Sequence, residues 1–157
     1  MAYARIRLLF LLSCVTSPEV LGDILRPSCA SGWFYFKSSC YGYFRKLRNW
    51  SDAELECQSY GNTSHLASVL SVQEARVAAK YIAGYQRTQP VWIGLHNPHE
   101  KQQWQWTDGA TYAYSAWTNR TASGGQQCAE TGPRGNFLTW NPNLCSKRHH
   151  FLCKYRP

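Results

Sequence analysis

The sequence has few acidic residues and lacks the motifs of several common site types. Nine Asp and Glu stand against 17 Lys and Arg in 157 residues, which gives a formal charge of +8. No Cys-x-x-Cys, Gly-x-Ser-x-Gly or phosphate-loop motif occurs. The patterns typical of zinc and thioredoxin-like sites and of common hydrolases are therefore missing. We expect neither an enzyme nor a metal or other cofactor.

The chain also lacks an apolar run long enough to cross a bilayer, which needs roughly 20 residues. Its longest apolar stretch, Leu8 to Val15, follows Arg5 and Arg7 and precedes the small residue Gly22. This order is typical of a signal peptide. We predict a signal peptide over residues 1–22 and a secreted, extracellular chain of one domain over 23–157, with its core over 29–155 and no membrane span.

The basic excess is scattered along the chain rather than gathered into one block. Its densest part is Tyr43 to Arg48, Tyr-Phe-Arg-Lys-Leu-Arg. Such a short patch is more typical of a solvated face than of a polyanion site. The charge pattern therefore predicts no nucleic-acid partner.

The cysteine count is even once the predicted signal peptide is removed. Seven cysteines become six when Cys14 leaves with residues 1–22. An even count in a secreted chain predicts three disulfides, and spacing alone allows fifteen pairings.

The first half of the mature chain predicts a hairpin followed by two helices. Two aromatic runs, Trp33 to Phe36 and Cys40 to Phe44, are separated by a short polar segment, which is typical of paired strands. Ser51-x-x-Glu54 and Ser71-x-x-Glu74 read as capping boxes. Each helix has one apolar stripe, and glycines stand near both helix ends. The predicted stripes are Trp50, Ala53, Cys57 and Tyr60, then Val72, Ala75, Ala79 and Ile82, followed by Gly61 and Gly84.

The second half is organised around the segment from Pro90 to Gly109. Val91 to Leu95 is a short apolar run, and Trp104-Gln105-Trp106 alternates before the turn dipeptide Asp108-Gly109. These patterns predict strand, polar loop and strand, with Trp92 and Trp106 in the core. Binding residues are often found on polar loops held between rigid strands. The whole order predicts an α+β fold.

These residues carry a resemblance to a known family. Trp92-Ile93-Gly94-Leu95, Trp104-x-Trp106-x-Asp108-Gly109 and the cysteines near the C-terminus are similar to the C-type lectin-like domain over about residues 29–155. Within it, the short secreted form resembles the regenerating (Reg, lithostathine-like) proteins. The resemblance implies two helices packed on a loop-rich antiparallel sheet, and it implies the disulfides Cys29–Cys40, Cys57–Cys153 and Cys128–Cys145.

The resemblance raises the question of calcium. Calcium-dependent members of the family use a Glu-Pro-Asn or Gln-Pro-Asp loop together with Trp-Asn-Asp, but this chain has neither triplet and reads Trp140-Asn141-Pro142. Calcium takes 6 to 8 oxygen ligands, often carboxylates. Beyond Val91 only Glu100, Asp108 and Glu130 are acidic, and Asp108 in its turn is better suited to local hydrogen bonding. We expect no calcium site.

Some Reg proteins bind sugar without calcium through the loop before Trp-x-Trp. The matching loop here lacks their Glu-Pro-Asn triplet, yet its amide, imidazole, carboxylate and ammonium groups suit vicinal hydroxyls. A second candidate lies between Cys128 and Trp140, and plain solvated turns remain the alternative for both regions. The predicted carbohydrate-binding residues are Asn97, Pro98, His99, Glu100, Lys101 and Gln102, with Arg134, Gly135 and Asn136 as the second contact region.

Two further motifs concern modification and metal binding. The glycosylation sequons at Asn62 and Asn119 are in predicted loops, whereas the third, at Asn49, precedes a helix cap and has a bulky Trp50 in its middle. We predict Asn62 and Asn119 as the glycosylation sites. His149-His150 has no carboxylate or free cysteine nearby in sequence, which favours surface histidines over a zinc site.

Three functions from different classes are compatible with these features. The leading hypothesis is a secreted, calcium-independent lectin that binds mannan, other mannose-type polysaccharide or bacterial cell-wall polysaccharide, as the resemblance suggests. The alternative is a growth or signalling ligand for a cell-surface receptor, with the fold as scaffold. A hydrolase is a distant third, because catalytic spacing is absent.

Overall fold

The structure, a computed structural model, describes residues 28–99, 103–119 and 122–157. The predicted signal peptide and the start of the mature chain lie outside these residues. The order is a hairpin, two helices and then a loop-rich sheet, so the predicted α+β class is confirmed. The elements are β1 Phe34–Phe36, β2 Ser39–Arg48, α1 Trp50–Gln58, β3 His65–Leu66, α2 Val72–Ala83, β4 Val91–His96, β5 Gln105–Trp106, β6 Cys128–Thr131, a 3₁₀ helix Pro133–Gly135, β7 Trp140–Asn143 and β8 His149–Tyr155.

All eight described strands form one sheet, in the order β1-β2-β8-β4-β6-β7, with β3 on β8 and β5 on β4. We expected an antiparallel sheet, but the sheet is mixed. β4 and β8 run parallel, with Val91 paired to His150 and Trp92 paired to Phe151. A parallel pair needs a long connection that returns the chain to the same end. The long stretch between His96 and His149 provides it.

The two helices begin differently from the sequence prediction. α1 is capped by Asn49, whose Oδ1 accepts a hydrogen bond from the Asp52 amide at 2.8 Å. The cap predicted at Ser51 is therefore wrong. α2 begins as predicted, because Ser71 Oγ accepts from the Glu74 amide at 3.1 Å.

The predicted apolar stripes are confirmed except at one position in each. Trp50, Ala53 and Cys57 are buried in α1, but Tyr60 lies beyond the helix end and is 41% exposed. In α2 the alanines and Ile82 are buried, whereas Val72 is 48% exposed in the first turn. Each helix therefore packs one stripe on the sheet.

The core contains the predicted tryptophans. Trp92 is fully buried and Trp106 is 3% exposed, while Trp104 is half-buried against Trp117 at a centroid distance of 4.6 Å. Trp140 adds a further buried ring, perpendicular to Trp106 at 5.4 Å. These rings fill the space under the Pro90 to Gly109 segment.

The three disulfides implied by the resemblance are confirmed as Cys29–Cys40, Cys57–Cys153 and Cys128–Cys145. Cys57–Cys153 joins α1 to β8 across a sequence separation of 96 residues. In the chain-entropy model, a loop of that size corresponds to a stabilisation of about 4.7 kcal/mol.

In the described ranges, neither helix has the length and apolar character that a bilayer crossing requires.

Candidate functional site

The first candidate region is the loop that follows β4. Asn97 is only 4% exposed, and its backbone amide donates to the Gln127 backbone carbonyl at 2.8 Å. Pro98 and His99 are exposed. Glu100, Lys101 and Gln102 lie outside the described residues. Asn97 therefore anchors the loop from inside, and the exposed polar group among the described loop residues is the His99 imidazole.

The base of this loop is fixed by an aromatic stack. The His96 ring lies parallel to the Trp50 indole at a centroid distance of 4.4 Å, and Trp50 Nε1 donates to the Ile93 carbonyl at 2.9 Å. Burial lowers the pKa of His96 below its usual 6.5, since desolvation disfavours the charged ring. Near neutral pH the loop therefore follows an uncharged His96 ring that is held by stacking on Trp50.

The second candidate region follows β6. Pro133–Gly135 forms a single 3₁₀ turn, and Asn136 ends it in the left-handed conformation at φ 53°. The Asn136 amide donates to the Pro133 carbonyl at 3.0 Å. Arg134 and Asn136 are both exposed, so their side chains are accessible to a ligand.

This second region borders a cavity that sequence reasoning missed. The cavity has a volume of about 260 Å³ and lies between the end of α2 and the 3₁₀ turn. Arg87 lines this cavity together with Asn136 and Phe137. Arg87 is exposed and distant in sequence from Arg134. Only the packing of α2 against this turn reveals it as a candidate ligand contact.

The two candidate regions lie at opposite ends of β4. His96, before the first region, pairs with Cys128, whereas Val91 pairs with Thr131, just before the second. Five residues of strand at 3.3 Å each separate them by roughly 16 Å. A single monosaccharide cannot touch both regions.

An aromatic ledge, defined as Trp104, Tyr112 and Trp117, connects these two ends. Trp104 precedes β5, which pairs with His96, and Trp117 bridges to Trp140, which pairs with Thr131. Trp117 Nε1 donates to the Tyr112 hydroxyl at 2.7 Å, and Tyr112 is 37% exposed. Sequence reasoning missed Tyr112 and Trp117, although both are aromatic residues in a polar, strand-poor segment.

The carboxylates near Trp140 are already engaged by protein groups. Both oxygens of Asp108 accept hydrogen bonds, one from the Ser68 hydroxyl and one from the Ala110 amide at 2.9 Å. This confirms its predicted local role. Glu130 Oε1 accepts from Asn143 Nδ2 at 3.1 Å.

The donor set therefore does not fit the calcium ion that the fold family implies. Asn141 Oδ1 accepts from the Thr118 hydroxyl, and Pro142 occupies the position of a carboxylate ligand. Within residues 28–99, 103–119 and 122–157, no three His, Cys, Asp or Glu side chains are grouped to hold a metal.

The His149-His150 pair differs from its prediction as surface residues. His149 is 9% exposed, its ring lies tilted against Trp92 at a centroid distance of 4.4 Å, and its Nε2 is 2.7 Å from Glu130 Oε2. The imidazole and the carboxylate are therefore in direct contact, although the two atoms are not aligned as a hydrogen bond. Sequence reasoning missed this carboxylate because Glu130 is on the neighbouring part of the sheet, not nearby in the chain.

His150 faces a different environment from its neighbour. Its Nδ1 lies 2.8 Å from the Tyr43 hydroxyl, and burial lowers its pKa below the usual value. The two rings therefore contact different partners and do not form a metal-binding pair.

The Tyr43–Arg48 patch has partners of its own. Lys46 Nζ lies 3.1 Å from Glu56, and the Arg45 guanidinium lies 5.3 Å from the centre of the Tyr85 ring. Leu47, which follows Lys46, is 47% exposed. The patch is a solvated face whose cations are partly neutralised.

The predicted glycosylation residues both lie on the surface. Asn62 follows α1 and Asn119 follows Trp117, and each is exposed. Asn49 is used as the α1 cap.

Comparisons with known proteins agree with this architecture. The C-type lectin domain (Lectin C-type domain) matches residues 46–155. Regenerating islet-derived protein 4 from Homo sapiens is 65% identical, with all of both chains covered, and that from Mus musculus is 67% identical over 99% of each chain.

Solved structures give the same result. A variant of the human regenerating gene type IV protein is 66% identical, with a TM-score of 0.67, covering 83% of this chain and 100% of that one. Human lithostathine is 30% identical, with a TM-score of 0.78, covering 85% and 94%. The chain thus belongs to the C-type lectin domain family and, within it, to the regenerating, lithostathine-like proteins.

Proposed function

We propose that the protein is a secreted, non-enzymatic lectin that binds mannose-type or bacterial cell-wall polysaccharide without calcium. The observation that carries the proposal is an exposed polar side chain near each end of β4, His99 at one and Arg134 at the other, with the aromatic ledge between them. The contacts are assigned to the loop Asn97–Gln102, which the buried Asn97 anchors from inside, and to Arg134–Asn136, and Arg87 joins the second set. Carbohydrate binding is also plausible for this family.

The chemistry of these regions suits a sugar. Saccharides offer hydroxyl groups that accept and donate, and an arginine, an amide and an imidazole provide complementary groups at the two regions. Sugar rings also have apolar faces, which aromatic side chains such as those of the ledge can cover.

The binding is expected to be weak at any single region. Neutral hydrogen bonds contribute a net ~0.5 to 1.5 kcal/mol each, so a few of them give micromolar to millimolar affinity for a monosaccharide. Repeated display on a polysaccharide raises the apparent affinity.

Calcium independence is tested by mannan pull-down of the secreted chain. Retention on mannan should be equal in buffer, in added calcium and in chelator, because Asp108 and Glu130 are engaged and Pro142 replaces a ligand. Acid should not release the sugar as it does where protonated carboxylates lose their metal. Loss of retention in chelator would contradict the proposal.

The location of the site is tested in the same assay. Glu100→Ala with Lys101→Ala should weaken retention several-fold with little change in thermal stability, since exposed loop substitutions usually cost within about 0.5 kcal/mol. Asn136→Ala should have a smaller effect. Arg45→Ala, in the Tyr43–Arg48 patch, is the matched surface control. If the patch variant alone abolishes retention, the site assignment is wrong.

A receptor-binding ligand remains the second candidate function. The exposure of Leu47, which lies between Lys46 and Arg48 in the sequence, favours it, because an apolar side chain flanked by cations is a typical protein contact. Binding to cells stripped of surface glycans separates the two functions. A lectin loses that binding, whereas a receptor ligand keeps it and loses it on Leu47→Asp.

A further inference from the structure

The sequon Asn62-Thr63-Ser64 contains a buried hydroxyl with no structural role. Ser64 is 1% exposed, and its Oγ has no hydrogen-bond partner among the described residues. A buried polar group left without a partner destabilises the fold. Alanine would avoid that cost in the same space. Packing therefore gives no reason for a serine here, whereas the third position of a glycosylation acceptor requires a hydroxyl.

Asn62 lines a larger cleft of about 380 Å³. Its volume falls in the range of small-ligand sites, roughly 300 to 1,000 Å³. The Asp108–Ala110 turn and the C-terminal residues Lys154–Arg156 line the same cleft. Thr63 holds Arg156 in place, because its Oγ1 accepts from the Arg156 amide and donates to the Arg156 carbonyl, both at 3.1 Å.

The polar groups of the cleft fall into two sets. Two of them already have partners within the protein. Lys154 donates to Glu74 and Ser68, and Asp108 accepts from Ser68 and Ala110. The side chains of Asn62 and Arg156 make no hydrogen bond or ion pair with other described residues. The acceptor amide of Asn62 and the guanidinium of Arg156 therefore both line a space of sugar size without a polar partner in the described chain.

We propose that Asn62 carries an N-linked glycan whose first sugars lie in this cleft against Arg156 and the Asp108–Ala110 turn. The step uses an oligosaccharide on a lipid diphosphate, so the proposal rests on the secretory route of the proposed function. A bond forms between Asn62 Nδ2 and C1 of the sugar as the C1–O bond to the diphosphate breaks. Nδ2 loses one proton and the lipid diphosphate leaves.

Glycan transfer must precede the completion of the fold. Ser64 is buried beside β3, where His65 and Leu66 pair with Lys154 and Cys153 of the last strand. The transferring enzyme needs access to the hydroxyl, which the folded chain denies. The modification therefore occurs before β8 pairs with β3, and the finished cleft then closes around the attached sugar.

Attachment is tested on the full chain expressed in mammalian cells, by intact mass and by mass of the Asn62 peptide from medium and from lysate. Asn62→Gln and Ser64→Ala should each lose the mass of one glycan, while Asn119→Gln retains the glycan at Asn62. Ser64→Ala should fold normally, because its hydroxyl has no partner. An unmodified Asn62 peptide in both fractions would overturn the proposal. Mannan retention of the same samples reports on the lectin function separately.

The seating of the glycan is tested by its rate of enzymatic release at the Asn62–sugar bond. Release from the native protein should be several-fold slower than from the denatured one. Arg156→Ala should accelerate only the native rate. Lys147→Ala, an exposed cation before the other end of β8, should leave both rates unchanged. Equal native and denatured rates would show that the glycan projects into solvent and would overturn the assignment of the cleft.

Discussion

Gly94 in the middle of β4 shows how one residue determines the packing of neighbouring strands. A Cβ at this position would overlap the Leu66 carbonyl oxygen of β3, and the Gly94 amide donates to the Ala67 carbonyl at 2.8 Å. Because the obstacle is backbone, it cannot move aside as a flexible side chain would. Close approach of β3 to β4 therefore requires glycine.

Gly94→Ala should be strongly destabilising. Overpacking of a tight interior costs typically ~1 to 3 kcal/mol, and backbone overlap places this variant at or above the upper end. Gly132→Ala is the matched control, because no atom lies within 4 Å of its added Cβ and its φ is −145°. Chemical denaturation of the two variants measures the difference. Similar midpoints for both would contradict the packing argument.

Single residues also differ in whether their burial can be predicted from the sequence. The burial of Trp92 and Trp106 follows from their apolar context, so it is predictable. The burial of His149 is not, because its contacts with Glu130 and Trp92 depend on which strands become neighbours. Likewise, Arg87 joins the second candidate region only through the position of α2.

At the scale of elements, the contacts of Glu54 explain why the capping box predicted for α1 does not form. Instead of reaching back to the helix start, its carboxylate accepts from the Leu66 amide, Thr107 Oγ1 and Gln58 Nε2, each at 2.8 Å, and it contacts His65. It therefore joins α1 to β3 and to the turn after β5. The Ser-x-x-Glu pattern indicates a helix in this part of the chain, but tertiary contacts engage the glutamate and Asn49 provides the cap.

A second buried carboxylate, Glu74, joins α2 to β8. Lys154 Nζ lies 2.8 Å from Glu74 Oε1 and also donates to the Ser68 carbonyl and hydroxyl, and both side chains are about one-tenth exposed. Glu74→Gln or Lys154→Met alone should cost ~3 to 5 kcal/mol, because each leaves a buried charge without its partner. Urea unfolding provides the measurement.

The double variant Glu74→Gln with Lys154→Met should cost less than the sum of the same two single variants, since no isolated charge remains. The control is Lys46→Ala at the exposed Lys46–Glu56 pair, where the lysine side chain is 51% exposed. Surface pairs contribute about 0 to 1 kcal/mol. Additive losses in the double variant, or an equal loss at Lys46, would contradict the assignment of Glu74 and Lys154 as a buried pair.

At the scale of the whole molecule, much of the fold follows from a few long-range constraints. The Trp-Ile-Gly-Leu motif and the cysteine positions identified the family and its pairings, which are confirmed by the disulfides. The parallel β4–β8 pair and the separation of the two candidate regions depend on the order of the strands in the sheet. Hydrophobic periodicity describes one strand at a time and cannot reveal either.

The separation of these regions leads to a prediction about ligand size. The end of β4 that precedes Asn97 and the end that pairs beside Arg134–Asn136 lie roughly 16 Å apart, so only an extended saccharide can contact both regions. Binding at the second region becomes intramolecular once the first is occupied, which raises the apparent affinity when the ligand spans the gap. Apparent affinity should therefore rise steeply with chain length across size-fractionated mannan fragments, measured by calorimetry.

Variants at the two regions give this prediction its control. For the shortest fragments, Lys101→Ala and Asn136→Ala should each reduce the binding stoichiometry or weaken one class of sites, without affecting the other. For spanning fragments, either variant alone should remove most of the gain from length, because the second contact is lost in both cases. An affinity that rises only in proportion to the number of sugars, and that both variants leave unchanged, would show that the two ends of β4 do not act on one chain.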